Sequence, residues 1–90
     1  MNLCIPRVES TITKDYIYNK LCNLNAGKIE KLVEIPLKND STHKRILFRI
    51  LLNNGDPANT IKEILSERGN INYVYEPPWF WRIVPTSQRI

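Results

Sequence analysis

Ninety residues leave room for one domain and one core, and the reading is a single domain over 1–90. Apolar residues at 42% and charged residues at 24% exclude bulk disorder. Thirteen Lys and Arg against nine Asp and Glu give a formal charge of +4, which permits an acidic partner without demanding one.

Leu3, Cys4 and Ile5 alternate as a short strand that Pro6 ends. Ser10 to Thr13 supplies helix-capping hydroxyls, Asp15 suits a first turn, and Ile17, Leu21 and Leu24 follow at helical spacing. Asn25-Ala26-Gly27 stops that helix, so it is expected near 13–25. From Lys28 the period falls to two, with Ile29, Val33, Ile35 and Leu37 on one side and Glu30 and Glu34 on the other. Lys31 and Leu32 break this alternation, as a twist or bulge would. Turn formers at 39–42 lead into a second strand from Arg45 to Leu52, making a hairpin. Asp56-Pro57 opens a second helix near 56–68, with Ile61, Ile64 and Leu65 inward and Gly69 as its stop. A last extended section begins at Asn70, is interrupted at Pro77-Pro78, and resumes from Trp79 to Val84.

The order βαββαβ predicts an α+β fold of the ferredoxin-like or RRM-like (RNA-recognition-motif-like) kind, with two helices on one face of a four-stranded antiparallel sheet. The expected core is Ile5, Ile17, Leu21, Ile29, Val33, Phe48, Ile50, Ile61, Leu65 and Trp81.

Little in the chain suggests catalysis. There is no glycine-rich phosphate loop and no His-carboxylate motif. His43, the single histidine, falls in the hairpin turn and reads as a solvated residue. Cys4 and Cys22 stand apart with no metal-ligand spacing, and free thiols are expected. No catalytic residue, metal site or cofactor is assigned. No apolar run reaches the ~20 residues of a membrane helix. The start of the chain carries no secretion signal, so neither membrane insertion nor secretion is expected.

Function is therefore sought on the sheet face opposite the helices. With Ile46, Phe48 and Ile50 inward, the outer face carries Cys4, Arg45, Leu47, Arg49, Leu51, Phe80 and Arg82. Glu30, Leu32 and Glu34 are expected at its edge, and Trp79, Trp81 and Ile83 inward. The preferred reading is a protein-binding face formed by Leu32, Leu47, Leu51 and Phe80, used for self-association as a homodimer. The alternative is a single-stranded RNA or DNA platform in which Arg45, Arg49 and Arg82 meet phosphates and Phe80 stacks on a base.

Several stretches carry a family resemblance: Ile5-Pro6-Arg7-Val8, Ile12 to Ile17, Gly27 to Lys31, Lys44-Arg45-Ile46, and above all Val74-Tyr75-Glu76-Pro77-Pro78-Trp79-Phe80-Trp81-Arg82. In these the chain resembles small uncharacterised proteins of nucleocytoplasmic large DNA viruses, including viruses that infect amoebae. Members of that group look like shortened RNA-recognition-motif domains. The resemblance implies a viral accessory protein, packaged in the virion or acting in the host cytoplasm or nucleus. It brings no enzyme activity and no functional residues. The group often has an aromatic where this chain has Leu47, a departure that weakens base stacking.

Overall fold

The computed structural model describes residues 1–88 and 90. Strands and helices alternate as β1 (Asn2–Glu9), α1 (Lys14–Cys22), β2 (Gly27–Leu37), β3 (Asp40–Leu52), α2 (Asp56–Arg68), β4 (Ile71–Glu76) and β5 (Trp79–Pro85). The five strands form one antiparallel sheet in the order β2-β3-β1-β5-β4. The expected α+β composition and both helices are present. The sheet has five strands instead of four, because the chain reverses at Pro77-Pro78 and pairs Ile71 with Ile83 and Tyr73 with Trp81. What reads in sequence as one interrupted strand is a hairpin, with β4 on the outer edge.

Local chemistry fixes the helix ends. Thr13, extended at ψ 154°, accepts a hydrogen bond from the Tyr16 amide at 3.2 Å and starts α1. The helix ends at Cys22, short of the expected 25, because Leu24 and Asn25 donate three residues back, to the Leu21 and Cys22 carbonyls. Asn25 then takes a positive φ of 54° and turns the chain into β2. There Gly27 lies so close to β3 that an added Cβ would meet the Leu51 carbonyl oxygen. The cap of α2 is Gly55 and not Asp56, with Pro57 in the first turn. Gly69 in the left-handed region returns its amide to the Leu65 carbonyl.

One cluster holds the domain together. Leu3, Ile5 and Val8 of β1 meet Ile46, Phe48 and Ile50 of β3, Ile29 and Leu32 of β2, and Trp81 and Ile83 of β5. Ile17 and Leu21 of α1 and Ala58, Ile61 and Leu65 of α2 belong to the same cluster, so both helices cover one sheet face. Aromatics seal the β4–β5 side. Tyr75 stacks on Trp81 at 4.0 Å between centroids, Tyr73 meets Trp81 edge-on at 6.2 Å, and the Tyr73 hydroxyl donates to the Lys20 carbonyl of α1.

Two bulges decide which residues face which way. On β2 the register steps from Ile29↔Ile50 to Lys31↔Arg49, leaving Glu30 unpaired. Beyond that step the faces exchange. Leu32 points into the core opposite Phe48, whereas Val33 lies opposite Leu47 on the open face and is only half-buried. The expectations that Leu32 is exposed and Val33 is core are both corrected by this extra residue. On β1 the register slips between Ile5↔Ile46 and Val8↔Lys44, so Pro6 and Arg7 form the second bulge. The proline that was expected to end the strand is accommodated there, where its missing donor breaks no ladder.

Candidate nucleic-acid interface

Strand alternation builds the open face from rows that cross the sheet. The central row is apolar: Val33 of β2, Leu47 of β3, Cys4 of β1 and Val84 of β5 are consecutive cross-strand partners. Beside it Lys31, Arg49 and Asn2 form a polar row, and further along Lys28 opposes Leu51. Toward the other end stand Arg45, Arg82 and Phe80, with Val74 opposite Phe80 on β4. Pro6, Arg7, Phe80, Arg82 and Val84 line a shallow recess of about 430 Å³ there.

Burial separates the residues named from sequence. Leu51 is 59% exposed and Phe80 55%. Arg45 and Arg82 are exposed, and neither has an ion-pair partner among the described residues. Arg49 is half-buried. Its Nε donates to the Asn2 side chain at 3.4 Å and its Nη2 to the Ile90 main-chain oxygen at 3.2 Å, so its head group is held over the sheet. Leu47 does lie on the open face, yet it is only 2% exposed. It sits inside the apolar row with Cys4 and Val33, between the stems of Arg45 and Arg49, and is not a surface contact. Leu32 is in the core at 7% exposure.

Two of the four apolar residues expected to form a partner face are therefore closed off. The remaining two, Leu51 and Phe80, lie toward opposite ends of the face, on the order of 25 Å apart at ~3.3 Å per strand residue. Trp79, expected inward with Trp81, is 63% exposed because β5 begins beyond the edge of the core.

The face has more positive charge than sequence reading assigned to it. Lys31 joins it through the β2 bulge and Arg7 through the β1 bulge, while Lys28, ahead of the β2 bulge, faces it by plain alternation with the buried Ile29. One candidate balancing carboxylate lies on the other side of the sheet and another is matched, among the cations of this face, to Arg7 alone. Glu34, expected at the edge of this face, pairs with Ile46 on the helix side and bonds the Lys44 ammonium at 2.7 Å. Asp40 is engaged with Arg7 at 2.6 Å and with His43 at 3.1 Å. The Thr42 hydroxyl and amide both donate to Asp40, holding its carboxyl below the usual carboxylate range, with His43 and Arg7 adding to the effect. Burial pushes the Cys4 thiol up, against the pull of Arg45, which suits an inert thiol. Both cysteines are free. Among the described residues no group of three or more His, Cys, Asp or Glu side chains could hold a metal, and no helix is long and apolar enough to cross a membrane.

Lys31 and Arg7 were missed for one reason, whereas Lys28 alternates regularly with Ile29 and was legible. Both Lys31 and Arg7 depend on the register at a bulge, and the sequence signalled only one of the two, in the broken alternation at Lys31-Leu32. No protein-family model, curated protein or solved structure matches this chain.

Proposed function

We propose that the chain is a non-enzymatic binding module whose open sheet face takes up a single strand of RNA or DNA. The observation that carries the reading is charge segregation. Lys28, Lys31, Arg45, Arg49 and Arg82 share one face with no side-chain carboxylate partner among the described residues, and Arg7 beside them is matched by Asp40, while Glu34 and Glu76 are engaged on the other side of the sheet with Lys44 and Tyr16. A backbone of phosphates is the partner such a face attracts most strongly. Phe80 and the guanidinium planes offer stacking surfaces, and one aromatic gives only ~1–3 kcal/mol per base, so affinity rests on phosphate contacts. A ferredoxin-like ancestry of the RNA-recognition kind goes with this reading. Taking β5 as the fourth strand leaves β1 and β3 central, and β4 becomes an added edge. A viral accessory role belongs to the same proposal.

Fluorescence anisotropy with labelled twelve-nucleotide RNA and DNA, across a salt series, tests it. Affinity should fall steeply with salt. Neutralising Arg45 or Arg82 should each lower the slope of log affinity against log salt by about 0.7. Absence of binding to either strand at low salt overturns the proposal.

A second reading, self-association, is favoured by the exposed pair Val74 and Phe80 beside the unpaired edge of β4. Sedimentation of the free protein distinguishes it. A dimer that Phe80→Asp dissolves, with no affinity for either strand, would replace the nucleic-acid reading with this one.

A further inference from the structure

The helix side of the sheet carries a site of opposite character. Where α1 meets the β4–β5 hairpin, a cleft of about 500 Å³ is lined by Glu9, Ile12, Tyr16, Tyr75, Glu76 and Trp79, with Thr11 and Thr13 at the rim. Its walls are aromatic and acidic together. Tyr16 and Tyr75 meet edge to face at 6.4 Å and 89°. The Tyr16 hydroxyl donates to Glu76 Oε2 at 3.0 Å, which leaves Glu76 Oε1 and both oxygens of Glu9 free of hydrogen bonds among the described residues. Tyr75 has one ring face against Trp81, and Tyr16 already carries the Lys20 ammonium 5.5 Å from its centroid. Trp79, 63% exposed, is the broad ring left bare.

We propose that this cleft binds a guanidinium group carried on an alkyl stem. Two carboxylates exclude an anion. The first-turn dipole of α1 opposes a cation, but Asp15 lies in that turn and Thr13 already caps the Tyr16 amide. Tryptophan is the strongest cation–π partner. A quaternary ammonium would use Trp79 alone and leave the carboxylates without donors. A guanidinium lies flat on the indole and presents a fork of N–H donors to Glu9 and Glu76 at once. Its stem has Ile12 to lie against. The site is separate from the basic face and does not rest on nucleic-acid binding.

The test is a titration of the whole chain followed by the two tryptophan indole N–H signals. Trp79 reports the cleft and buried Trp81 reports the fold. The probes are N-acetyl-arginine amide, butylguanidinium, the neutral isostere N-acetyl-citrulline amide, and tetramethylammonium. Both guanidinium probes should shift Trp79 saturably. Citrulline should bind at least about tenfold more weakly, which corresponds to the ~1.4 kcal/mol scale of one good cation contact. Tighter binding of the capped arginine than of butylguanidinium would assign the group to a peptide, and equal or weaker binding to a free small molecule; both outcomes support the proposal. Trp79→Ala, followed on the backbone amide of residue 79, and Glu76→Gln should each weaken guanidinium binding by about tenfold with the Trp81 signal unmoved. Equal affinity for citrulline, tetramethylammonium binding as tightly as guanidinium, or no Trp79 shift at millimolar probe overturns it.

Discussion

Leu47 and Leu51 sit four residues apart on the same strand and point to the same sheet face, yet they should respond differently to truncation. Leu47 is 2% exposed and Leu51 59%. Leu47→Ala removes about three carbon groups at ~0.8 kcal/mol each, or roughly 2.4 kcal/mol of transfer energy. The cavity left behind adds to this where the surroundings cannot close. Cys4, Val33 and the flexible stems of Arg45 and Arg49 can relax inward, so the total should fall at about 2.5–3.5 kcal/mol, within the range for buried leucines. For a chain of this size that corresponds to a drop in Tm of at least about 10 °C. Leu51→Ala should stay within about 0.5 kcal/mol of the parent. Leu47→Asp should be worse than Leu47→Ala, because a carboxylate there must shed its water before the neighbouring guanidinium groups can compensate. Urea unfolding followed by Trp81 fluorescence gives these values, with an unchanged slope confirming that only stability moved. A Leu47→Ala protein as stable as the parent would show the central row to be open to solvent, and would return Leu47 to the list of contact residues.

Trp81→Ala removes the ring that both Tyr73 and Tyr75 pack against, and should cost about 3–5 kcal/mol by thermal unfolding, a large share of the stability of any small domain. The same aromatic cluster predicts alkaline sensitivity. Desolvation raises the Tyr16, Tyr73 and Tyr75 hydroxyls above their ordinary value of 10.0, with Glu76 adding to the shift at Tyr16 and Glu9 and Glu76 at Tyr75. The folded state holds these protons more tightly than the unfolded chain. Their contribution is thus complete below pH 10.0 and is lost as pH rises through the elevated folded values. Denaturant midpoints taken from pH 8 upward should hold steady and then fall above about pH 10 together with tyrosinate absorbance; midpoints that stay flat while tyrosinate forms would contradict this.

How far the sequence could be read depended on whether a residue's role was local or set by register. Both helices were legible, because Thr13, Pro57 and Gly69 act within a turn of themselves and Ile17, Leu21, Ile61 and Leu65 repeat at helical spacing. The inward set of β3 was legible for the same reason, since Ile46, Phe48 and Ile50 alternate without a break. Leu32 and Val33 were assigned to the wrong faces although the broken alternation beside them was visible. A bulge reverses every later residue of a strand, and its position is fixed by the partner strand and not by the bulged one. The fifth strand was missed because Pro77-Pro78 reads equally as an interruption or as a reversal, and only the pairing of Tyr73 with Trp81 separates the two. The burial of Leu47 was hidden for another reason. Alternation gives the direction of a side chain, but it does not say whether long neighbours will fold over it.

The proposed anion-binding role of the open face accounts for a feature that works against the free protein. Lys31 and Arg49 are direct cross-strand partners, a placement in which like charges destabilise an antiparallel pair. Among the described residues Arg49 has no side-chain carboxylate partner; its bonds go to the Asn2 amide oxygen and the Ile90 main-chain oxygen. Glu34 is engaged by Lys44 and Glu76 by Tyr16, and of the cations on this face Asp40 balances only Arg7. A domain shaped for stability alone would interleave the two signs, as the helix side does where Glu34 meets Lys44. Local choices that work against the fold are expected where a surface serves a partner. A phosphate seated between Lys31 and Arg49 turns the repulsion of that pair into a shared attraction, so the arrangement that weakens the free chain is the one that would strengthen the complex.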